Sequence, residues 1–86
     1  MPRALSIQRT VVPPGERANY IERVKRRREH YKRANCSFWL FEDSGLPGAF
    51  VEFTEGPSVG DLKAAHDGAP ERPLDPGRIY HEVQLS

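Results

Sequence analysis

Residues Phe38 to Phe53 read FWLFEDSGLPGAFVEF, two bulky apolar runs on either side of a polar knot. The knot holds two glycines and a proline, the composition of a tight loop between paired strands. It predicts a hairpin of two strands, about Cys36–Glu42 and Ala49–Glu55. A strand with one wet face alternates apolar and polar residues. These runs barely alternate, so both faces of the sheet they enter need cover.

Outward from the hairpin, Ala4 to Val12 (ALSIQRTVV) alternates and is rich in β-branched residues, which predicts a first strand. Pro13, Pro14 and Gly15 end it and suit a helix start, where a missing N–H costs nothing. Glu16 to Asn35 then predicts one helix. Tyr20, Ile21, Val24 and Tyr31 make its apolar stripe, and Asn35 suits the left-handed turn that closes a helix. After the hairpin, Ser58 to Asp61 (SVGD) has the form of a capping box and predicts a short helix ending at Gly68. Asp67 to Gly77 has three prolines and predicts an extended loop. Arg78 to Leu85 (RIYHEVQL) alternates again and predicts a closing strand. The order β-α-β-β-α-β is the ferredoxin-like pattern: an α+β fold with a four-stranded antiparallel sheet, helices on one face and spatial strand order 4-1-3-2.

With Ser44 to Pro47 as the loop, Phe38 pairs with Phe53, Trp39 with Glu52, Leu40 with Val51 and Phe41 with Phe50. One face then carries Phe38, Leu40, Val51 and Phe53, joined by Leu5, Ile7, Val11, Ile79 and His81, and goes under the helices. The other carries Trp39, Phe41, Phe50, Glu52 and Tyr80, aromatic but mixed with polar groups. A slip of one residue would put Glu52 beside Phe38 or Leu40, which burial disfavours.

With 86 residues the chain holds one domain, 1–86, with a modest core. Cys36 is its only cysteine, so no internal disulfide supports it. His30, His66 and His81 lack metal-ligand spacing; neither a metal nor any other cofactor is expected. An oligomer is the remaining supplement for so small a core. No apolar run reaches membrane-span length and the first ten residues lack a signal-peptide core, so no membrane contact and a cytoplasmic location are expected. The net charge of +1 conceals an asymmetry: residues 1–35 carry 10 basic and 3 acidic side chains, and residues 36–86 carry 3 and 9. Two halves that attract each other, or a nucleic-acid patch, would both produce it.

The strand LSIQRTVV, the long helix, CSFWLFE, GAFVEFTEG and the last strand IYHEVQL together resemble the dimeric α+β barrel superfamily, with FVEFTEG the segment most like it. Its members include small antibiotic-biosynthesis-type monooxygenases, muconolactone-isomerase-like enzymes, stress-responsive barrel proteins and NIPSNAP-like proteins. The resemblance implies two ferredoxin-like protomers packed sheet against sheet, helices outside. It carries over no catalytic residue, because no member's catalytic motif is present. The short second helix and long Pro-rich loop depart from the pattern and reshape the pocket such enzymes keep between sheet and helices.

On this reading the homodimer binds a small apolar or aromatic molecule through Trp39, Phe41, Phe50, Glu52 and Tyr80. Glu52 is the catalytic candidate for a cofactor-free enzyme, since a carboxylate against the Trp39 indole is desolvated and suited to move protons; whether the chain is an enzyme stays open. The alternative is a carboxylate that bonds an Arg or Tyr across a dimer interface. His66, near a helix end where the dipole favours its charged form, and His81, a core or edge residue, are lesser candidates. His30 is expected in solvent, Arg9 at the rim of the core or on an anionic ligand, and Cys36 as an inert thiol. Two other functions compete: nucleic-acid binding through the basic helix 16–35, and a non-enzymatic protein-interaction domain. Nucleic acid is the less favoured, because the basic helix lies away from the aromatics and Glu52 and Glu82 share the aromatic face.

Overall fold

The computed structural model describes residues 2–71, 73 and 78–85. The elements are β1 (Ala4–Val11), a single turn of 3-10 helix (Pro14–Glu16), α1 (Arg17–Arg33), β2 (Ser37–Glu42), β3 (Ala49–Gly56), α2 (Val59–Asp67) and β4 (Tyr80–His81). They form a mixed α+β structure whose one open antiparallel sheet has the order β2-β3-β1-β4. Its smallest dimension is 19 Å, two layers thick, with the helices on one side of the sheet. Among the described residues no helix is long and apolar enough to cross a membrane.

Local chemistry sets the helix ends. Pro14 opens the 3-10 turn that feeds α1. At the far end Asn35 takes φ 62°, and the Cys36 N–H reaches back 2.8 Å to the Tyr31 carbonyl, closing the last turn. Ser58 caps α2: its Oγ accepts from the Asp61 N–H at 3.1 Å and donates to the Asp61 carboxylate at 2.9 Å. The last strand is far shorter than the expected Arg78–Leu85. Only Tyr80 and His81 pair, with Leu5 and Ala4. Of the Pro-rich loop, residues 72 and 74–77 lie outside the described residues.

The hairpin register differs by one residue from the expected one. Phe38 pairs with Thr54, Trp39 with Phe53, Leu40 with Glu52 and Phe41 with Val51. The loop takes one more residue: Asp43 N–H bonds the Ala49 carbonyl at 2.8 Å, leaving Ser44 to Gly48 outside the ladder. Gly48 absorbs the extra residue at φ 92°. The slip re-sorts both faces. Trp39, Phe41, Val51 and Phe53 now share the open face with Leu5, Ile7, Val11 and Tyr80. Under the helices lie Phe38, Leu40, Phe50, Glu52 and Thr54, with Ser6, Gln8 and Thr10. The apolar side of β1, expected beneath the helices, is turned away from them.

Two apolar clusters hold the layers together. Ala4, Tyr31, Cys36, Leu62 and Ala65 form one; Val12, Tyr20, Val24 and Phe50 form the other. Between Val24 and Tyr31, the α1 stripe passes through a buried Arg27. A bidentate pair fastens the hairpin to the start of α1: Arg17 donates to the two Glu42 oxygens at 2.6 and 2.9 Å. The Gly48 N–H also donates to Glu42, at 2.9 Å.

Gly48 is the position where the register can be tested. A Cβ there would sit 2.5 Å from the Val12 carbonyl oxygen, at a φ that side chains avoid. Gly48→Ala should cost about 2 kcal/mol or more in urea unfolding. A loss under about 0.5 kcal/mol would contradict this loop geometry.

Candidate functional site

A cavity of about 380 Å³ lies between the helix-side face of the sheet and α1, in the gap between the two apolar clusters. β1 contributes Ser6, Gln8 and Thr10, and β3 contributes Glu52 and Thr54. Tyr20, Arg23, Arg27 and Tyr31 come from α1, His66 from α2, and Glu71, Pro73 and Arg78 from the segment beyond it.

At its centre is an ion pair. Arg27 Nε and Nη2 donate to the two Glu52 oxygens at 3.1 and 2.8 Å, and the Tyr20 hydroxyl donates to Glu52 Oε2 at 2.9 Å. The Arg27 and Glu52 side chains are 8% and 5% exposed. Both carboxylate oxygens are therefore engaged inside the protein, as a buried charge requires. Burial, reinforced by the Glu52 charge, raises the Tyr20 phenol far above its ordinary range, so it stays a donor. Arg27 spends Nη1 on Glu71, at 2.6 Å.

A second chain of polar groups lines the same cavity. Tyr31 Oη lies 2.6 Å from His66 Nδ1, and His66 Nε2 lies 3.0 Å from Ser6 Oγ. In one tautomer Tyr31 donates to Nδ1 and Nε2–H donates to Ser6; in the other both bonds run in reverse. Burial pushes the Tyr31 phenol up to about 12, against the lowering effect of Arg27. Burial also pushes the His66 imidazole below its ordinary value; Asp67 opposes this and His30 adds to it. The arrangement can pass a proton between a ligand and two neutral side chains.

The residues expected to bind together are divided between the two faces. Trp39, Phe41 and Tyr80 lie on the open face, whereas Phe50 and Glu52 lie under α1. Glu52 stands opposite Leu40 and Gln8, not Trp39. Its partners are an Arg and a Tyr, the types expected across an interface, but both belong to α1 of the same chain. Phe50 packs against Tyr20, ring centroids 4.8 Å apart. His66, read from the sequence as favouring its charged form near the end of α2, is buried and favours the neutral form, because desolvation outweighs the raising effect of Asp67. His30 is not in open solvent: its Nε2 lies 2.7 Å from the Ala65 carbonyl. His81 and Arg9 are exposed, and Cys36 is buried. Among the described residues no group of three or more His, Cys, Asp or Glu side chains could hold a metal ion.

Sequence reasoning missed Arg27. The signal was present: Arg27 falls three residues after Val24 and four before Tyr31, inside the apolar stripe. A cation in that stripe requires a buried anion opposite, and Glu52 is the acidic residue within the apolar FVEF run.

Three outcomes follow for this site. Glu52→Ala leaves Arg27 buried without its main partner and should cost about 3–5 kcal/mol in urea unfolding. The double variant Arg27→Met/Glu52→Leu should lose clearly less than the sum of its single changes; additive losses would mean the pair is not coupled. For His66, the lowered folded-state pKa means full stability above the ordinary value of 6.5, lost as the pH falls from there through the folded value. His66→Asn should flatten the stability profile between about pH 7 and 5, whereas an unchanged slope would assign it to other groups. Compared with known proteins, the chain matches no family model, no curated protein and no solved structure, so the reading of this site rests on its own residues.

Proposed function

We propose that the chain is a ferredoxin-like protomer of a homodimer, a dimeric α+β barrel, and that each protomer holds a small molecule in the cavity between sheet and helices. Read from the β4 edge, the strand order is 4-1-3-2, which supports the ferredoxin-like part of the reading. The observation that carries the dimer is the sheet's open face. Trp39 is 44% and Phe41 56% exposed, and they continue an apolar surface formed by Leu5, Ile7, Val51 and Phe53. Monomers rarely leave a contiguous apolar surface of more than a few hundred Å² in water. A second copy presents the same surface, so a two-fold axis through the sheet satisfies both.

The small-molecule part rests on a cavity of a size common for ligand sites, lined mostly by polar and charged residues, with Phe38, Tyr20 and Tyr31 supplying ring surfaces. A cofactor-free reaction there would use His66 and Tyr31 to move the proton, with Glu52 holding Arg27 in place rather than acting as the base. Two features weigh against the open face as a base-stacking surface. β1, in the middle of the sheet, presents Leu5 and Ile7 on that face rather than aromatic rings. On α1, Arg17, Arg23, Lys25, Arg27 and Arg28 already face carboxylates.

Light scattering should give twice the chain mass of 9.8 kDa at micromolar concentration. Phe41→Glu should give a folded monomer, because Phe41 is half in water in the single chain. A wild-type monomer sinks the dimer. A Phe41→Glu dimer moves the interface to another surface. Salt-sensitive binding of single-stranded RNA that Trp39→Ala abolishes replaces the dimer with a stacking surface.

A further inference from the structure

Arg27 faces two carboxylates that differ in kind. Glu52 sits on a central strand, 5% exposed, with both oxygens bonded within the core. Glu71 lies outside any helix or strand, and its side chain is 44% exposed. Its ties are Arg27 Nη1 at 2.6 Å and Arg23 Nε at 3.9 Å. Both arginines and both glutamates line the cavity. One buried guanidinium is fully neutralised by Glu52, so Glu71 is a second anion at a cation that does not need it for charge balance. With Glu71 withdrawn, Nη1 of a buried Arg27 points into the cavity beside Arg23, while Phe38 and Tyr31 supply ring surfaces.

Resting on the cavity reading above, we infer that the Arg27 Nη1 and Arg23 edge is a recognition site for a small aromatic carboxylate, and that Glu71 is an internal stand-in which the ligand displaces. The carboxylate takes the charge-assisted bonds that Glu71 now makes. Its ring lies against Phe38 and Tyr31, which are already stacked with centroids 5.7 Å apart. An amine of the same size would meet two guanidinium groups and be rejected. A neutral alcohol would keep the ring contacts and lose the ionic ones.

The test is an amide-shift titration of the full chain with benzoate, benzyl alcohol and benzylamine, on wild type, Glu71→Gln and Arg23→Gln. Benzoate should move the amides of Arg27, Glu52 and Thr54. Because a tethered competitor acts at an effective concentration on the order of millimolar, Glu71→Gln should tighten benzoate about tenfold. Arg23→Gln should weaken it several-fold, and benzylamine should move nothing. A Glu71→Gln affinity within about twofold of wild type, or benzyl alcohol binding as tightly as benzoate, overturns the carboxylate site and leaves the cavity standing. Silence of the cavity amides to all three probes in wild type and Glu71→Gln overturns the small-molecule reading itself.

Discussion

The buried pair between Arg27 and Glu52 is the constraint from which the rest of the structure follows. A carboxylate on the central strand of a small sheet cannot face an apolar layer unpartnered; the cost is several kcal/mol. Arg27 and Tyr20 meet that cost with three hydrogen bonds. To do so, α1 must lie over Glu52, and Glu52 must point towards α1. The second condition fixes which side of β3 is inside, and the ladders carry the choice to β2 and β1. The hairpin register, the five-residue loop and the positive φ of Gly48 all conform to it.

Much of the architecture was legible in the chain. The PPG stop, the Asn35 turn, the SVGD cap and the glycine-rich loop placed the elements close to where they lie, because each signal is local and has its own hydrogen-bond chemistry. Register and facing were not legible in the same way. Sorting by hydrophobicity sends Leu5, Ile7, Val51 and Phe53 beneath the helices, since they are the greasier set. The structure places Ser6, Gln8, Thr10, Glu52 and Thr54 there instead, and the partners of Glu52 and Ser6 sit on α1 and α2, not in the sheet. Arg27 and His66 supply bonds that no window along β3 contains. Hydrophobic pattern alone fails where both faces of a sheet are to be covered, and the near-continuous aromatic runs around Trp39 and Phe53 mark this as such a sheet.

The candidate site shows the same division. Glu52 and Phe50 were visible as residues of interest, but both were assigned to the face away from the helices, with Trp39, Phe41 and Tyr80. Arg27 and Tyr31 lie on α1, Ser6 on β1 and His66 on α2, and only the fold brings these three elements to one cavity. His66 was read from its place near the end of α2, where the dipole favours a cation. Its surroundings decide otherwise, since Tyr31 and Ser6 each engage one ring nitrogen and burial disfavours the charge.

A polar interior and an apolar exterior are costly to combine in 86 residues, and the two features account for each other. The side of the sheet that could have supplied a dense core is turned outward, and the helices cover a side interrupted by charge. A chain selected only for monomer stability would do the reverse, because replacing a buried ion pair with well-packed apolar residues is commonly neutral or stabilising. Placing the apolar set outside leaves Trp39 and Phe41 partly in water, the exposure on which the proposed dimer rests. Placing the ion pair inside keeps the helix layer from closing on the sheet and leaves room for the cavity between the two apolar clusters. Both consequences come from the side to which Glu52 points, so a single carboxylate on β3 sets the polarity of the whole sheet.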